Sequence, residues 1–140
     1  VMWVTNPKEF KEGKAPQLQF REIDLSTKKY PYGTITVINF TQRPIAATIQ
    51  ETVLKGITQD GASAKIKGDT ALIKVLTYDD ERDEIMSAYT ANLFVSKDSR
   101  HFLFLFPTLR NKPAYLDTNV IVDSKPPSQQ DLLNYQPSEI

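Results

Sequence analysis

The chain contains a single histidine, His101, and no cysteine. Histidine changes charge near neutral pH, so it is the first side chain to consider as a general base. Ser99 and Asp98 stand beside it in sequence, but catalytic triads are assembled from distant segments held by rigid elements. We therefore interpret His101 as a polar residue at the start of a strand, and we predict no catalytic residue.

The residue types exclude several further classes of site. Without cysteine the chain has no disulfide, zinc–thiolate site, thiol nucleophile or iron–sulfur cluster. It also lacks the GxSxG, Walker and GxGxxG patterns. We expect a protein that is not an enzyme and that uses no cofactor or metal. A hydrolase built on scattered carboxylates is the third and least favoured hypothesis.

The densest run of charge is acidic and lies between two β-rich segments. Calcium prefers several oxygen ligands from one loop, but this run lacks the glycine and the spacing of an EF-hand. Arg82 also neutralises part of it. We interpret the run as a solvated turn and keep its carboxylates as candidate residues for a cation or docking site: Asp79, Asp80, Asp83 and Glu84.

The charge balance argues against a nucleic-acid partner. Lys and Arg together number 17, as do Asp and Glu, so the formal net charge is zero. A nucleic-acid groove needs a contiguous basic track with stacking rings. The scattered lysines are more typical of sheet edges, where they prevent strands from pairing with other molecules.

The stretch from Ile85 to Phe106 dominates the hydrophobic pattern. Two β-rich runs flank the polar residues 97–100, which predicts an antiparallel hairpin. The second run, 102–106, is apolar at every position. Such a strand is expected to be covered on both faces or to lie at the centre of a sandwich.

The segment 44–56 is ambiguous between strand and helix. Ile45, Ile49 and Val53 recur at helical spacing, with Pro44 at the start and Gly56 as a stop. The many β-branched residues and the short polar link from the preceding strand favour a strand instead. We predict a strand and keep one helix at 44–56, in an α+β fold, as the alternative.

Short strands at intervals of about ten residues predict a mainly β fold. We expect an antiparallel β-sandwich of immunoglobulin-like or jelly-roll type. The predicted domain organisation has three parts. Residues 1–16 form an N-terminal tether or first edge strand, residues 17–123 a single sandwich domain, and residues 124–140 a C-terminal extended arm.

This pattern favours a non-catalytic binding or structural module. Sheet edges and terminal arms can bind a protein partner by strand addition. The proline-rich tail contains the candidate contact residues Leu132, Leu133 and Tyr135. We expect a protein partner or a homo-oligomer and an extracytoplasmic location (periplasmic or secreted), and we keep a membrane tether upstream of Val1 as an option.

The alternative function is a β-barrel or jelly-roll carrier of a lipid or another apolar ligand. A set of large apolar side chains would then line a cavity instead of filling a core. The residues proposed for that lining are Phe94, Phe102, Leu103, Phe104, Leu105 and Phe106.

Overall fold

The structure is a computed structural model, and it describes residues 1–108 and 116–135. Ten strands and two short helices follow one another along these residues. They are β1 (Met2–Val4), α1 (Pro7–Lys11), β2 (Leu18–Phe20), β3 (Thr34–Asn39), β4 (Ala46–Ile49), β5 (Thr52–Leu54), β6 (Ala62–Lys65), β7 (Thr70–Asp79), β8 (Glu84–Phe94), β9 (Ser99–Pro107), β10 (Leu116–Ser124) and α2 (Gln129–Leu133).

The strands form two four-stranded sheets and one small ribbon. Sheet I has the order β10-β9-β3-β6, sheet II has the order β5-β4-β7-β8, and the ribbon pairs β1 with β2. All pairings are antiparallel except that of β3 with β9, which is parallel. The predicted mainly β sandwich is confirmed, and the parallel pair at its centre is an addition to that prediction.

The two sheets enclose a core of aliphatic side chains. Alternate residues of each central strand point into it, such as Val37 of β3, Val75 of β7 and Leu103 of β9. Gly61, at φ +80°, lies against β3, where an added Cβ would meet the Ile38 side chain at 3.0 Å. A side chain at this position would force atoms of β3 to shift and would strain the positive φ, so glycine suits the loop before β6.

Strand β9 is covered on both faces, as its continuous apolar sequence predicts. Leu103 and Leu105 point into the core between the sheets. Phe102 and Phe104 point to the other side of sheet I, where they form a second cluster with Trp3, Tyr30 and others. Sheet I therefore separates two apolar layers, and β9 contributes to both.

The second cluster is an aromatic layer closed by the N-terminal ribbon. Trp3 of β1 packs on Phe40 with ring centroids 4.4 Å apart. Phe40 in turn stacks on Phe104 and Phe106, at 6.1 and 5.5 Å. The ribbon therefore acts as the cover of sheet I, while its own far side leaves Phe20 exposed.

The predicted hairpin between the two halves of 85–106 is wrong. Of the strands in residues 1–108 and 116–135, β8 pairs only with β7 in sheet II, and β9 pairs with β3 and β10 in sheet I. The link between them includes Val95, which is buried in the core and donates its N–H to the Asp69 carbonyl. The link therefore contributes a core residue as the chain passes from sheet II to sheet I, and β8 and β9 do not pair with each other.

The segment 44–56 contains strands, and the helical alternative is wrong. Strands β4 and β5 form a tight hairpin in which Ala47 opposes Leu54. Gln50 turns the chain with φ 53°, and its side chain bonds the backbone of Lys67 and Thr70. The single strand expected over 45–54 is therefore two strands with a turn between them.

The apolar residues of the segment 17–25 change phase near Arg21, and only the first part of the segment is a strand. Only β2 pairs, and it does so with β1. Beyond Arg21 the chain leaves the ribbon, and Ile23 and Leu25 pack against the aromatic layer. The change of phase near Arg21 thus marks the end of pairing. Residues before it pair with β1, while the apolar residues after it contact the aromatic layer.

Candidate binding edge

The two sides of the sandwich differ in how closely the sheets approach. On one side the edge strands β5 and β6 lie in backbone contact. On the opposite side the edge strands are β8 and β10, and the described residues show no comparable stretch of close backbone approach between them. The sheets therefore approach each other more closely at β5 and β6 than at β8 and β10, and we call the side of β8 and β10 the open side.

The open side is lined by half-buried apolar side chains. Tyr89 and Leu93 of β8 lie opposite Val75 and Ala71, two core residues of β7. Leu116 and Val120 of β10 pack against the same core. These side chains belong to the core but remain partly accessible from this side.

Strand β8 is the longest strand of the described residues, and one of its edges pairs with no described strand. Natural edge strands are usually protected by lysines, prolines, inward charges or short length. Between Ile85 and Phe94 the sequence contains no charged residue and no proline. By contrast, the edge strand β10 carries Asp117 and Asp123.

Backbone directions show which groups of β8 face the free side. Val95 follows β8 and donates its N–H to the Asp69 carbonyl, on the β7 side. Leu72 of β7, which opposes Asn92, uses its carbonyl to accept from Gln50 on the side away from β8. Because these directions alternate along an antiparallel strand, Tyr89, Ala91 and Leu93 bond to β7. Thr90 and Asn92 then present their N–H and C=O groups to the free edge.

A β-bulge interrupts β8 near its middle. Tyr89 opposes Val75, but Ser87 opposes Leu76, so Ala88 is an extra residue without a partner of its own. Bulges bend an edge strand and increase its twist. The regular part of the free edge therefore runs from Tyr89 to Phe94.

His101 lies at the end of this free edge and not in a catalytic arrangement. Its side chain is buried, and burial lowers its pKa, while a hydrogen bond with the backbone of Phe94 acts in the opposite direction. Its Nδ1 atom has no hydrogen-bond partner within the described residues. The Ser99 hydroxyl, its neighbour in sequence, bonds the backbone of Ser96 instead.

The acidic residues surround the turn between β7 and β8. Asp79 accepts hydrogen bonds from the backbone of the turn, and Asp80 pairs with Arg43 at 3.4 Å. Asp83 has φ 54°, and Glu84 lies 3.8 Å from Arg82. The described residues contain no group of three acidic or histidine side chains that could hold a metal ion.

The C-terminal candidates lie on or beside α2. A capping box between Ser128 and Asp131 begins this helix, and the Ser128 hydrogen bonds lower the pKa of the Asp131 carboxyl. Leu132, Leu133 and Tyr135 are all exposed. The segment for which we predict an extended arm therefore contains one short helix, Gln129–Leu133. The role of these three residues stays a prediction.

The six side chains named for an apolar carrier do not line one space. Leu103 and Leu105 are in the core, while Phe102, Phe104 and Phe106 belong to the aromatic layer. Phe94 is 86% exposed at the end of β8. Sheet I separates the two core leucines from the three phenylalanines of the aromatic layer.

The comparisons with known proteins identify no relative of this chain. No family model matches the chain, and neither a curated protein nor a solved structure matches it. Within the described residues, no helix is long and apolar enough to cross a membrane.

Sequence reasoning did not identify the free edge of β8. The signal was present, because 85–94 contains no charge and no proline over ten residues. The predicted hairpin, however, pairs this run with 102–106, which leaves no reason to expect a free edge at that position. Only the assignment of β9 to the other sheet shows that one side of β8 pairs with nothing described.

Proposed function

We propose that this protein is a non-catalytic binding module that engages a protein partner by strand addition along β8. The observation that carries the proposal is the uncharged, proline-free edge of β8 beside the open side of the sandwich. Its outward backbone groups at Thr90 and Asn92 can pair with an extended segment. The terminal arm around Leu132 remains a further candidate contact.

The chemistry of the edge suits recognition of an extended segment. Backbone hydrogen bonds at Thr90 and Asn92 would supply sequence-independent affinity, as they do in strand addition generally. Side chains of the added strand alternate between the two faces of the sheet. On the core side they would meet Tyr89 and Leu93, which are half-buried, so an apolar residue at alternate positions is favoured.

The proposed location, periplasmic or secreted, depends on the sequence pattern alone. An antiparallel fold with polar, broken ends and no catalytic motif is compatible with such a module. Expression with an epitope tag and cell fractionation would test this location independently of binding.

The binding proposal can be tested with an array of short extended peptides of alternating polarity. We expect apolar-alternating peptides to bind the dilute protein and to lose binding in an Asn92→Pro variant. Proline removes the outward N–H of Asn92 and places its ring on the free side, a position that edge strands tolerate.

Asn92→Ala is the matched control, because it keeps the backbone N–H and should bind as the native chain does. A truncation after Lys125 tests the terminal arm separately. Peptide binding that survives Asn92→Pro, or no binding by any peptide, would contradict an edge site on β8. Loss of binding only in the truncated chain would assign the contact to the arm.

A further inference from the structure

We propose that the strand added to β8 is β8 of a second copy of this chain. The two strands pair antiparallel about a two-fold axis at Ala91, which joins two sheets II into one continuous sheet. This inference rests on the proposed edge function and names the partner for it.

The backbone groups of β8 are compatible with this axis. In an antiparallel pair, residues that face the partner must oppose residues that also face it. An axis at Ala91 places Thr90 opposite Asn92 of the second copy, and both face the free edge by the alternation described above. The arrangement forms about four backbone hydrogen bonds, since each of the two symmetric pairs exchanges both of its bonds.

The side chains are also complementary in this register. On the core side, Tyr89 lies opposite Leu93 of the second copy, so half-buried apolar side chains cover each other. On the outer face, Thr90 and Asn92 form polar cross-strand pairs. The bulge at Ala88 and the engaged backbone of Phe94 then limit the regular pairing to 89–93.

Charge distinguishes β8 from the other long edge strand. Between Ile85 and Phe94 there is no charged side chain, so two copies of β8 can approach without repulsion. Strand β10 carries Asp117 and Asp123, and Asp123 forms an ion pair with Arg100 at 2.7 Å. The edge of β10 therefore carries charged side chains, as protected edge strands do.

A two-fold pairing of this kind uses the same patch on both copies and closes on itself. It also covers the regular, uncharged part of the edge, which would otherwise be a template for open-ended aggregation. Because a single strand pair makes a small interface, we expect a dimer that dissociates on dilution.

Charge substitutions at the two outer-face positions test both the dimer and its register. Thr90 and Asn92 are exposed, so lysine or glutamate there should leave the fold intact, which circular dichroism checks. In the proposed register, Thr90→Lys with Asn92→Lys opposes lysine to lysine twice. Thr90→Lys with Asn92→Glu opposes lysine to glutamate twice.

Sedimentation velocity over a concentration series gives the readout. We expect the native chain to dimerise, the double-lysine variant to dimerise on the order of tenfold more weakly, and the lysine–glutamate variant to recover the native affinity. A monomeric native chain at every concentration, or two double variants that behave alike, would overturn the proposal. Thr90→Lys alone should have little effect, and a loss as large as that of the double-lysine variant would place the axis at Thr90 and overturn the register.

The peptide experiment separates this inference from the function beneath it. A native chain that stays monomeric but binds peptides through Asn92 overturns only the second copy as partner. A chain that neither dimerises nor binds peptides overturns both proposals.

Discussion

Strands β8 and β9 follow each other in the chain, yet their surroundings are opposite. Strand β9 lies between two neighbours in sheet I and is covered on both faces. Strand β8 has one neighbour among the described strands, and its burial alternates between half-buried and exposed residues. The comparison teaches that composition can reveal how many faces of a strand are covered, while the identity of its neighbours depends on distant segments.

Proline substitution should show the largest difference between the two strands. Leu103 lies in a central strand, where proline removes a ladder hydrogen bond and disrupts the core, so Leu103→Pro should cost about 3 kcal/mol or more and prevent stable folding. Asn92→Pro should cost less than about 1 kcal/mol, because its N–H faces the free edge. Urea denaturation of dilute protein measures both. Equal losses of unfolding free energy in the two variants would contradict the assignment of β8 to an edge and of β9 to the centre of a sheet.

Phenylalanine truncation should separate the strands almost as strongly. Phe104 is buried among Phe40, Phe102 and Phe106, and Phe104→Ala should reduce the free energy of unfolding by about 3–5 kcal/mol. Phe94→Ala should change it by no more than about 0.5 kcal/mol, since Phe94 is 86% exposed. A large loss at Phe94 in dilute protein would mean that β8 is covered within the monomer.

The arginine nearest each strand gives a smaller contrast. Arg100 of β9 is buried, contacts Asp123 at 2.7 Å and donates to the Tyr30 carbonyl at 2.8 Å. Arg100→Met should cost about 1–3 kcal/mol, because it leaves the Tyr30 carbonyl buried without that partner. Arg82, in the turn before β8, is exposed, and Arg82→Met should cost less than about 0.5 kcal/mol. Thermal unfolding of both variants measures the two losses of stability. A larger loss for Arg82→Met than for Arg100→Met would contradict this contrast.

The smallest expected effect is the pH dependence from His101. Burial lowers its pKa in the folded chain, so the unfolded chain binds the proton more readily. Stability is therefore complete above the ordinary histidine pKa of about 6.5 and falls as the pH drops below it. His101→Phe should flatten this part of the stability profile. A profile with the same slope in both proteins would mean that His101 titrates normally in the fold.

Most of the individual strands could be predicted from the sequence. The unbroken apolar run 102–106 predicts a strand covered on both faces, because any polar-facing side would require alternation. The branched residues of 45–54 also favoured strand over helix correctly. These inferences concern the local environment of each segment, which side-chain types report directly.

The pairing of the strands and the candidate edge could not be predicted in the same way. A short link after Phe94 can close a hairpin or cross between sheets, and the choice depends on distant contacts such as that of Val95 with Asp69. The parallel pairing of β3 with β9 likewise joins segments far apart in sequence. A strand edge is free when no other strand pairs with it, so it can be identified only after the pairing of the other strands is known.

Amide hydrogen exchange at single-residue resolution tests the central claim, the free edge of β8, most directly. We predict that the amides of Tyr89, Ala91 and Leu93 are protected at every protein concentration, because they bond to β7. The amides of Thr90 and Asn92 should exchange freely in dilute protein and become protected as the concentration rises. Protection of Thr90 and Asn92 already in the dilute monomer would contradict the account, since it would mean that this side of β8 is not free.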